Sequence, residues 1–254
     1  MKIVATIQAR MGSSRLPGKV LLESGGKPFL LRQIERIRRS KLINHIIVAT
    51  SIESGDDEIV RLCEENEIDV FRGSENDVLG RVSQSLFAYR GWVHAEFVGD
   101  APYIDPQIID EVVGYYLRNM ENFDYVSNGM EITYPNGSEL NVYDVDTILE
   151  CNDRVSKDDP LREHVDIHIY KSSQYRCANL KAPKGLNRPD LFIELDTKND
   201  FDVLKRIGDH FKEAGKDDFS LSDIITFLNE NPAIARLNSA EHRKYWEIKD
   251  MPIE

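Results

Sequence analysis

No run of about 18 apolar residues occurs in the chain, so a membrane-spanning helix is excluded on length alone. The N-terminus enters a strand-like run directly, without the pattern of a secretion signal, which leads to the expectation of a cytoplasmic protein. Cysteine is scarce. Cys63, Cys151 and Cys177 are scattered and odd in number, which fits reduced thiols and not a disulfide framework or a zinc site. Positive charge is also short: the net charge of −12 argues against general binding to nucleic acid or to an anionic membrane. The dinucleotide fingerprint G-x-G-x-x-G is missing. So is the Walker spacing, because five residues lie between Gly12 and Gly18 and Val20 follows Lys19. No repeat, low-complexity stretch or linker is present, and no Ser-His-Asp or Cys-His pairing is evident. What remains is an ordinary globular composition, 41% hydrophobic and 30% charged, over 254 residues. That length suits one α/β domain, or one domain with a smaller lobe.

Against the acidic background one cationic stretch stands out. Ile3-Val4-Ala5-Thr6-Ile7 reads as a buried strand, and Gln8 to Lys19 follows it with Arg10, Arg15 and Lys19, small residues at 12 to 14, and glycines at 12 and 18. Small residues let backbone N–H groups approach a polyanion, and the cations neutralise it. The carboxyl edge of an open parallel sheet is where ligands are held. The stretch reads as a phosphate-binding loop; a basic surface turn is the plain alternative.

Strand and helix signals then alternate. Strands are expected at 46–50, 69–71 and 95–98, with helices opened by Pro28, Asp56-Asp57, Asp77 and Pro106. The alternation predicts a doubly wound, mainly parallel α/β sheet. After about residue 123 the rhythm changes. Strands at 124–128, 141–143 and 175–178, a turn at Tyr134-Pro135-Asn136-Gly137 and helices near 144–152 and 160–172 suggest a segment inserted at about 128–180, a lobe or a dimerisation arm within one domain spanning 1–254. Leu191 to Leu195 reads as a returning strand, followed by helices at about 198–213 and 220–229 and a short tail.

Two carboxylates end apolar strands, Asp100 after Phe97-Val98-Gly99 and Asp196 after Ile193-Glu194-Leu195. Projecting from the same sheet edge as the cationic loop, the pair offers the hard oxygen ligands that Mg²⁺ takes beside a polyphosphate. Taken singly, each Asp reads as a helix N-cap or a turn residue.

The motifs Ile7 to Lys19, Val70-Phe71-Arg72-Gly73-Ser74, Asp77-Val78-Leu79 with Arg81, Gly99-Asp100 with Pro102, Ile104-Asp105-Pro106, Arg162-Glu163-His164-Val165 and Leu195-Asp196-Thr197 resemble, in order and over nearly the whole chain, the spore-coat-polysaccharide type of cytidylyltransferase. That group is similar to the acylneuraminate and 3-deoxy-manno-octulosonate cytidylyltransferases. The resemblance implies a nucleotide-diphospho-sugar-transferase fold, CTP as donor, Mg²⁺, pyrophosphate as leaving group and a homodimer. By position it implies that Gln8, Ala9, Arg10, Gly12, Ser13, Ser14, Arg15 and Lys19 form the nucleotide loop, with Arg72, Gly73, Ser74 and Arg81 completing the nucleotide site. Asp100 and Asp196 would hold the metal, and Arg15, Lys19 and Asp100 would serve catalysis. Acceptor contacts are implied at Glu139, Asn141, Arg162, Glu163 and His164, the last three reading equally as an interface cluster. The chain departs from the group's pattern at Ala101, where a Cys is frequent, at Tyr103, and in Gly137-Ser138-Glu139-Leu140-Asn141, which leaves the acceptor's identity open.

The implied reaction is direct attack of an acceptor oxygen on the α-phosphate of CTP, the acceptor being a sugar acid or a related molecule of surface-polysaccharide synthesis. Rival readings are a sugar-1-phosphate nucleotidylyltransferase using another NTP and a non-catalytic nucleotide-binding protein of the same pathway. His164 and His168, four apart on an expected helix, lack the H-E-x-x-H order of a zinc site. Arg81 one turn after Asp77 suggests an ion pair or a ligand contact, and the run Arg36, Arg38, Arg39, Lys41 suggests a solvated helix end.

Overall fold

The computed structural model describes residues 1–240; the end of the expected tail, 241–254, lies outside the described residues. In chain order the elements are β1 (Ile3–Gln8), β2 (Glu23–Ser24), β3 (Lys27–Pro28), α1 (Phe29–Ile37), β4 (His45–Ser51), α2 (Asp57–Glu65), β5 (Asp69–Gly73), α3 (Val78–Ala88), β6 (Val93–Val98), α4 (Pro106–Asn119), β7 (Tyr125–Ser127), β8 (Asn141–Asp144), α5 (Val145–Arg154), α6 (Ile167–Tyr170), β9 (Cys177–Asn179), α7 (Lys198–Glu213), α8 (Leu221–Glu230) and α9 (Pro232–Ala235).

Seven strands form one sheet in the order β5-β4-β1-β6-β8-β7-β9. All neighbours are parallel except at β8, which runs antiparallel to both β6 and β7. Side chains alternate across the sheet as the strand period demands. Ala5, Ile7, Val48, Val126 and Val142 enter the core under α1, α2, α4, α7 and α8. Val4, Ile47, Ala49, Tyr125 and Tyr143 enter a second core with α3, α5 and α6. Helices therefore cover both faces, the doubly wound arrangement expected from the alternation. The chain moves from β1 outward to β4 and β5, then returns to place β6 on the other side of β1, so the strand order reverses beside β1. A crevice at the carboxyl ends of such strands is the usual ligand position.

The segment at about 128–180 is woven into this sheet. It supplies β8 and β9, and packs α5 and α6 on the second face.

Four expectations are corrected. The helix expected at 160–172 is a 3-10 turn, Pro160–Glu163, then α6, with His164 extended between them (φ −108°, ψ 114°). The buried Arg162 is pulled toward Asp77 at 2.8 Å, which takes the chain off a helical path and leaves His164 outside α6, the element that carries His168. The stretch 191–195 joins no sheet strand. Its hydrogen bonds go to the turn at Asn136 and to the Asp100 carbonyl, which accepts from Leu195 N at 2.8 Å. Arg36 is not solvated: it is 1% exposed, donates to the carbonyls of Ile104 (2.7 Å) and Phe219 (3.0 Å), and lies over the Phe219 ring. The ion pair suggested between Arg81 and Asp77 does not form, because Asp77 is taken by Arg162. Burial lowers the pKa of Arg36 to about 10, with Asp105 opposing that shift. Among the described residues no helix is long and apolar enough to cross a membrane.

Candidate active site

The first loop leaves β1 at Gln8 and folds on the peptide of Met11, whose carbonyl accepts from Ser13 N (2.9 Å) and Gly18 N (3.0 Å). Gly18 takes φ +68°, a left-handed turn that a side chain would strain, and so directs Lys19 into the 3-10 turn Lys19–Leu21 anchored by buried Val20. Gly99 keeps the ends of β1 and β6 close: a Cβ there would lie 2.7 Å from the Gln8 carbonyl oxygen.

This packing carries Lys19 to the carboxylates of Asp100, just past β6, and Asp196, at the end of the extended 191–195 stretch. Its Nζ lies 2.9 Å from Asp100 Oδ2 and 2.8 Å from Asp196 Oδ1, and Arg15 donates to Asp196 Oδ2 at 2.7 Å. Burial alone would lower the Lys19 pKa, but Asp100 and Asp196 outweigh it and the ammonium is held more tightly than usual. Neither Asp caps a helix. Asp105 caps α4 and Thr197 caps α7 through a reciprocal pair with Asp200, so the Asp100 and Asp196 carboxylates stay turned to the crevice. Asp100 Oδ1 is buried with no hydrogen-bond partner among the described residues, an oxygen whose solvation has been removed and not replaced.

The crevice opens into a cavity of about 520 Å³. Gln8, Ala9, Arg10, Ser13, Ser14, Arg15, Lys19 and Arg81 line it on the loop side, with Asp100 and Asp196. Glu139, Asn141, Glu163 and His164 line the other side. Arg10 and Glu163 bridge the two sides at 2.8 Å. Gly12 lies against Glu75, outside the lining. Arg72, Gly73 and Ser74 also stand outside it. The Arg72 guanidinium donates to the Ser51 and Glu53 carbonyls and to Asp57 (2.7 Å), while buried Arg81 donates to the Ser74 carbonyl at 2.6 Å and so links that turn to the cavity. Arg162 likewise does not reach the cavity, because Asp77, Asn152 and Val155 occupy its guanidinium.

The floor holds residues that the sequence reading did not single out. Glu96, 4% exposed, accepts from Gln8 Nε2 (2.8 Å) and Tyr143 Oη (2.5 Å). Asp166 accepts from Tyr125 Oη (2.6 Å) and Asn141 Nδ2 (2.9 Å). Burial first, then the nearby Asp166, holds the Glu96 carboxyl well above the usual carboxylate range. Burial and the charges of Asp100, Asp196 and Glu139 do the same for Glu194, another lining residue. Two polar residues at alternate positions in each of β1 (Thr6, Gln8) and β6 (His94, Glu96) were the available signal, since hydrophobic residues are the norm on a central strand.

No group of three or more His, Cys, Asp or Glu placed to hold a metal unaided occurs among the described residues. Two hard carboxylates, one with a bare oxygen, nevertheless suit a divalent cation that takes its other ligands from phosphate and water.

The family model described as Cytidylyltransferase matches residues 4–234. The chain is 38% identical over 252 residues to an uncharacterized protein of Methanocaldococcus jannaschii, covering 98% of this chain and 100% of that one. It is 31% identical over 245 residues to the spore coat polysaccharide biosynthesis protein SpsF of Bacillus subtilis, covering 94% and 99%. The solved structure of a cytidylyltransferase from Leptospira borgpetersenii superposes with a TM-score of 0.85 at 26% identity, covering 100% of this chain and 99% of that one.

Proposed function

The chain belongs to the cytidylyltransferase family, and from that premise we propose that it transfers CMP from CTP to a sugar acid or related acceptor in surface-polysaccharide or glycoconjugate synthesis. The observation that carries the reading is the junction of Lys19 with Asp100 and Asp196 beside the Arg10–Arg15 loop at the carboxyl ends of β1 and β6. The role in polysaccharide synthesis is supported by SpsF and by the motif resemblance, which spans nearly the whole chain.

In this reading the loop side binds the triphosphate. Arg10, Ser13, Ser14, Arg15 and Lys19 supply cations and hydroxyls to the phosphate oxygens. An acceptor oxygen seated toward Glu139, Asn141 and His164 attacks the α-phosphorus, the bond to the bridging oxygen of pyrophosphate breaks, and Arg15 and Lys19 stabilise the charge gathering on the leaving group. A hydroxyl acceptor gives its proton to Asp100; a phosphate acceptor has none to give. Asp100 and Asp196 would hold Mg²⁺, which when bound neutralises the triphosphate. The resemblance also supports a homodimer, and a cytoplasmic location goes with the use of CTP.

Pyrophosphate release measured with Mg²⁺, each of the four NTPs and a panel of acidic sugars and sugar phosphates tests the proposal. Release with CTP and one acceptor, dependent on Mg²⁺, is expected. Release with another NTP alone would overturn the donor, and failure of CTP to bind in calorimetry would overturn the function.

A further inference from the structure

Beneath the phosphate loop lies a carboxylate that neither the motifs nor the proposed chemistry uses. Asp56 is 3% exposed and ends the 3-10 turn Ser54–Asp56 ahead of α2. It occupies that helix's N-cap position, yet its side chain makes no cap hydrogen bond. The carboxylate is diverted elsewhere. Oδ1 accepts from the Met11 N–H at 2.7 Å, while Oδ2 accepts from Thr50 Oγ1 (3.0 Å), Ser51 N (3.1 Å) and Ser51 Oγ (2.5 Å).

Met11 is the hinge of the loop. Its carbonyl gathers the N–H groups of Ser13 and Gly18, while its N–H, in the preceding peptide, is held by Asp56, so the residue is anchored on both sides of its Cα. The N–H groups of Gly12 and Ser14 are left without a hydrogen bond among the described residues. Such groups become anion ligands only if the peptides carrying them keep their orientation. Burial would raise the Asp56 pKa, but the donors on Met11, Ser51 and Thr50 outweigh it, so the group is held as a carboxylate.

We propose that Asp56 is the positioning residue of the triphosphate loop, linking the end of β4 to the Met11 peptide so that the loop's N–H groups face the β- and γ-phosphates. The inference deepens the proposed function and rests on it for the identity of the donor.

Calorimetric titration with CTP, CMP and pyrophosphate tests it in the full-length protein, in D56A, in D56N and in S51A. Removing a charge-assisted hydrogen bond is worth about ten- to a hundredfold in affinity. D56A is therefore expected to weaken CTP and pyrophosphate by about that factor and CMP by less than about threefold. D56N, which keeps one acceptor oxygen, falls between D56A and wild type, and stands in for D56A should that variant not fold. S51A removes a donor to the same carboxylate without touching the loop, so it lowers the melting temperature and leaves CTP affinity unchanged. CTP affinity at the wild-type level in D56A and D56N, or equal loss of CMP and CTP, would reduce Asp56 to a structural role. Wild-type protein that binds pyrophosphate but not CTP would overturn the donor, and the pyrophosphate comparison would still decide the role of Asp56.

Discussion

Replacing Lys19 by Met is the most demanding test of the site, because it acts on stability and turnover in opposite relation to divalent metal. The Lys19 side chain is 12% exposed and its ammonium lies within 2.9 Å of Asp100 and 2.8 Å of Asp196, whose side chains are 19% and 11% exposed. K19M keeps the aliphatic stem and removes the charge, leaving two carboxylates facing one another in a half-dry crevice. Losing two charge-assisted bonds and stranding their acceptors costs about 2–4 kcal/mol after discounting for residual solvent. For a domain of this size that is roughly 5–12 °C in melting temperature. The bared carboxylates also become a better cation site, so millimolar Mg²⁺ restores part of the loss in K19M and shifts wild type less. Turnover moves the other way. Without the cation on the departing pyrophosphate, kcat falls by roughly a hundred- to a thousandfold, and added Mg²⁺ does not recover it. Thermal unfolding with and without Mg²⁺, paired with steady-state pyrophosphate release, reads both. The Lys19 pKa is raised, so its stabilisation is complete below the unfolded value near 10.4 and fades only as pH rises through the folded value; the K19M difference is therefore flat from about pH 7 to 9. A melting temperature insensitive to Mg²⁺ in both proteins, or kcat within about threefold of wild type, would refute the assignment.

Asp196→Asn removes one ligand of the proposed metal and a partner of both Arg15 and Lys19; turnover is expected to vanish while CTP binding, followed by calorimetry, weakens but stays measurable. Arg162→Ala empties a guanidinium site shared by Asp77, Asn152 and Val155 and is expected to cost about 3–5 kcal/mol in urea unfolding, with the ratio of kcat values much closer to one than for K19M. His94 is fully buried, hydrogen-bonded to Thr6 at 2.7 Å, and burial pushes its pKa down to about 3. The unfolded chain takes up a proton below about pH 6.5 and the folded chain does not, so stability is complete above that value and is lost as pH falls toward 3. His94→Gln is expected to remove up to one proton from the slope of unfolding free energy against pH between about 6 and 4, and an unchanged slope would refute the burial argument.

Much of the frame was legible because local pattern and global fold agree. The apolar run of β1, the helix starts at Pro106 and Lys198 and the place of Asp100 just past the end of β6 each agree with the sequence reading. The hairpin of β2 and β3 carried a plain Gly25-Gly26 turn signal that went unread. The rest was hidden for a physical reason: partners came from far along the chain. Arg36 reads as a surface cation until Ile104 and Phe219 supply carbonyls to its guanidinium. Arg72 belongs to a nucleotide-site motif, yet Asp57 and two carbonyls draw it aside. Residues 191–195 have the apolar pattern of a strand, but the hydrogen bonds of the segment go to a turn and to Asp100 instead of a sheet edge.

The hydrogen bond from Lys19 to Asp196 closes a loop of 177 residues, and the one from Leu195 N to the Asp100 carbonyl brings the second carboxylate beside the first. During synthesis the strands β1, β4, β5 and β6 all leave the ribosome well before Asp196 does, so a nascent sheet can form while Lys19 still has only Asp100 to hold. On the proposed roles of Asp100 and Asp196, competence for chemistry arrives late, when the segment carrying Asp196 docks. A nascent or truncated product carries the cationic loop without the second carboxylate of the proposed metal pair, and on that proposal cannot turn over CTP before the fold is finished.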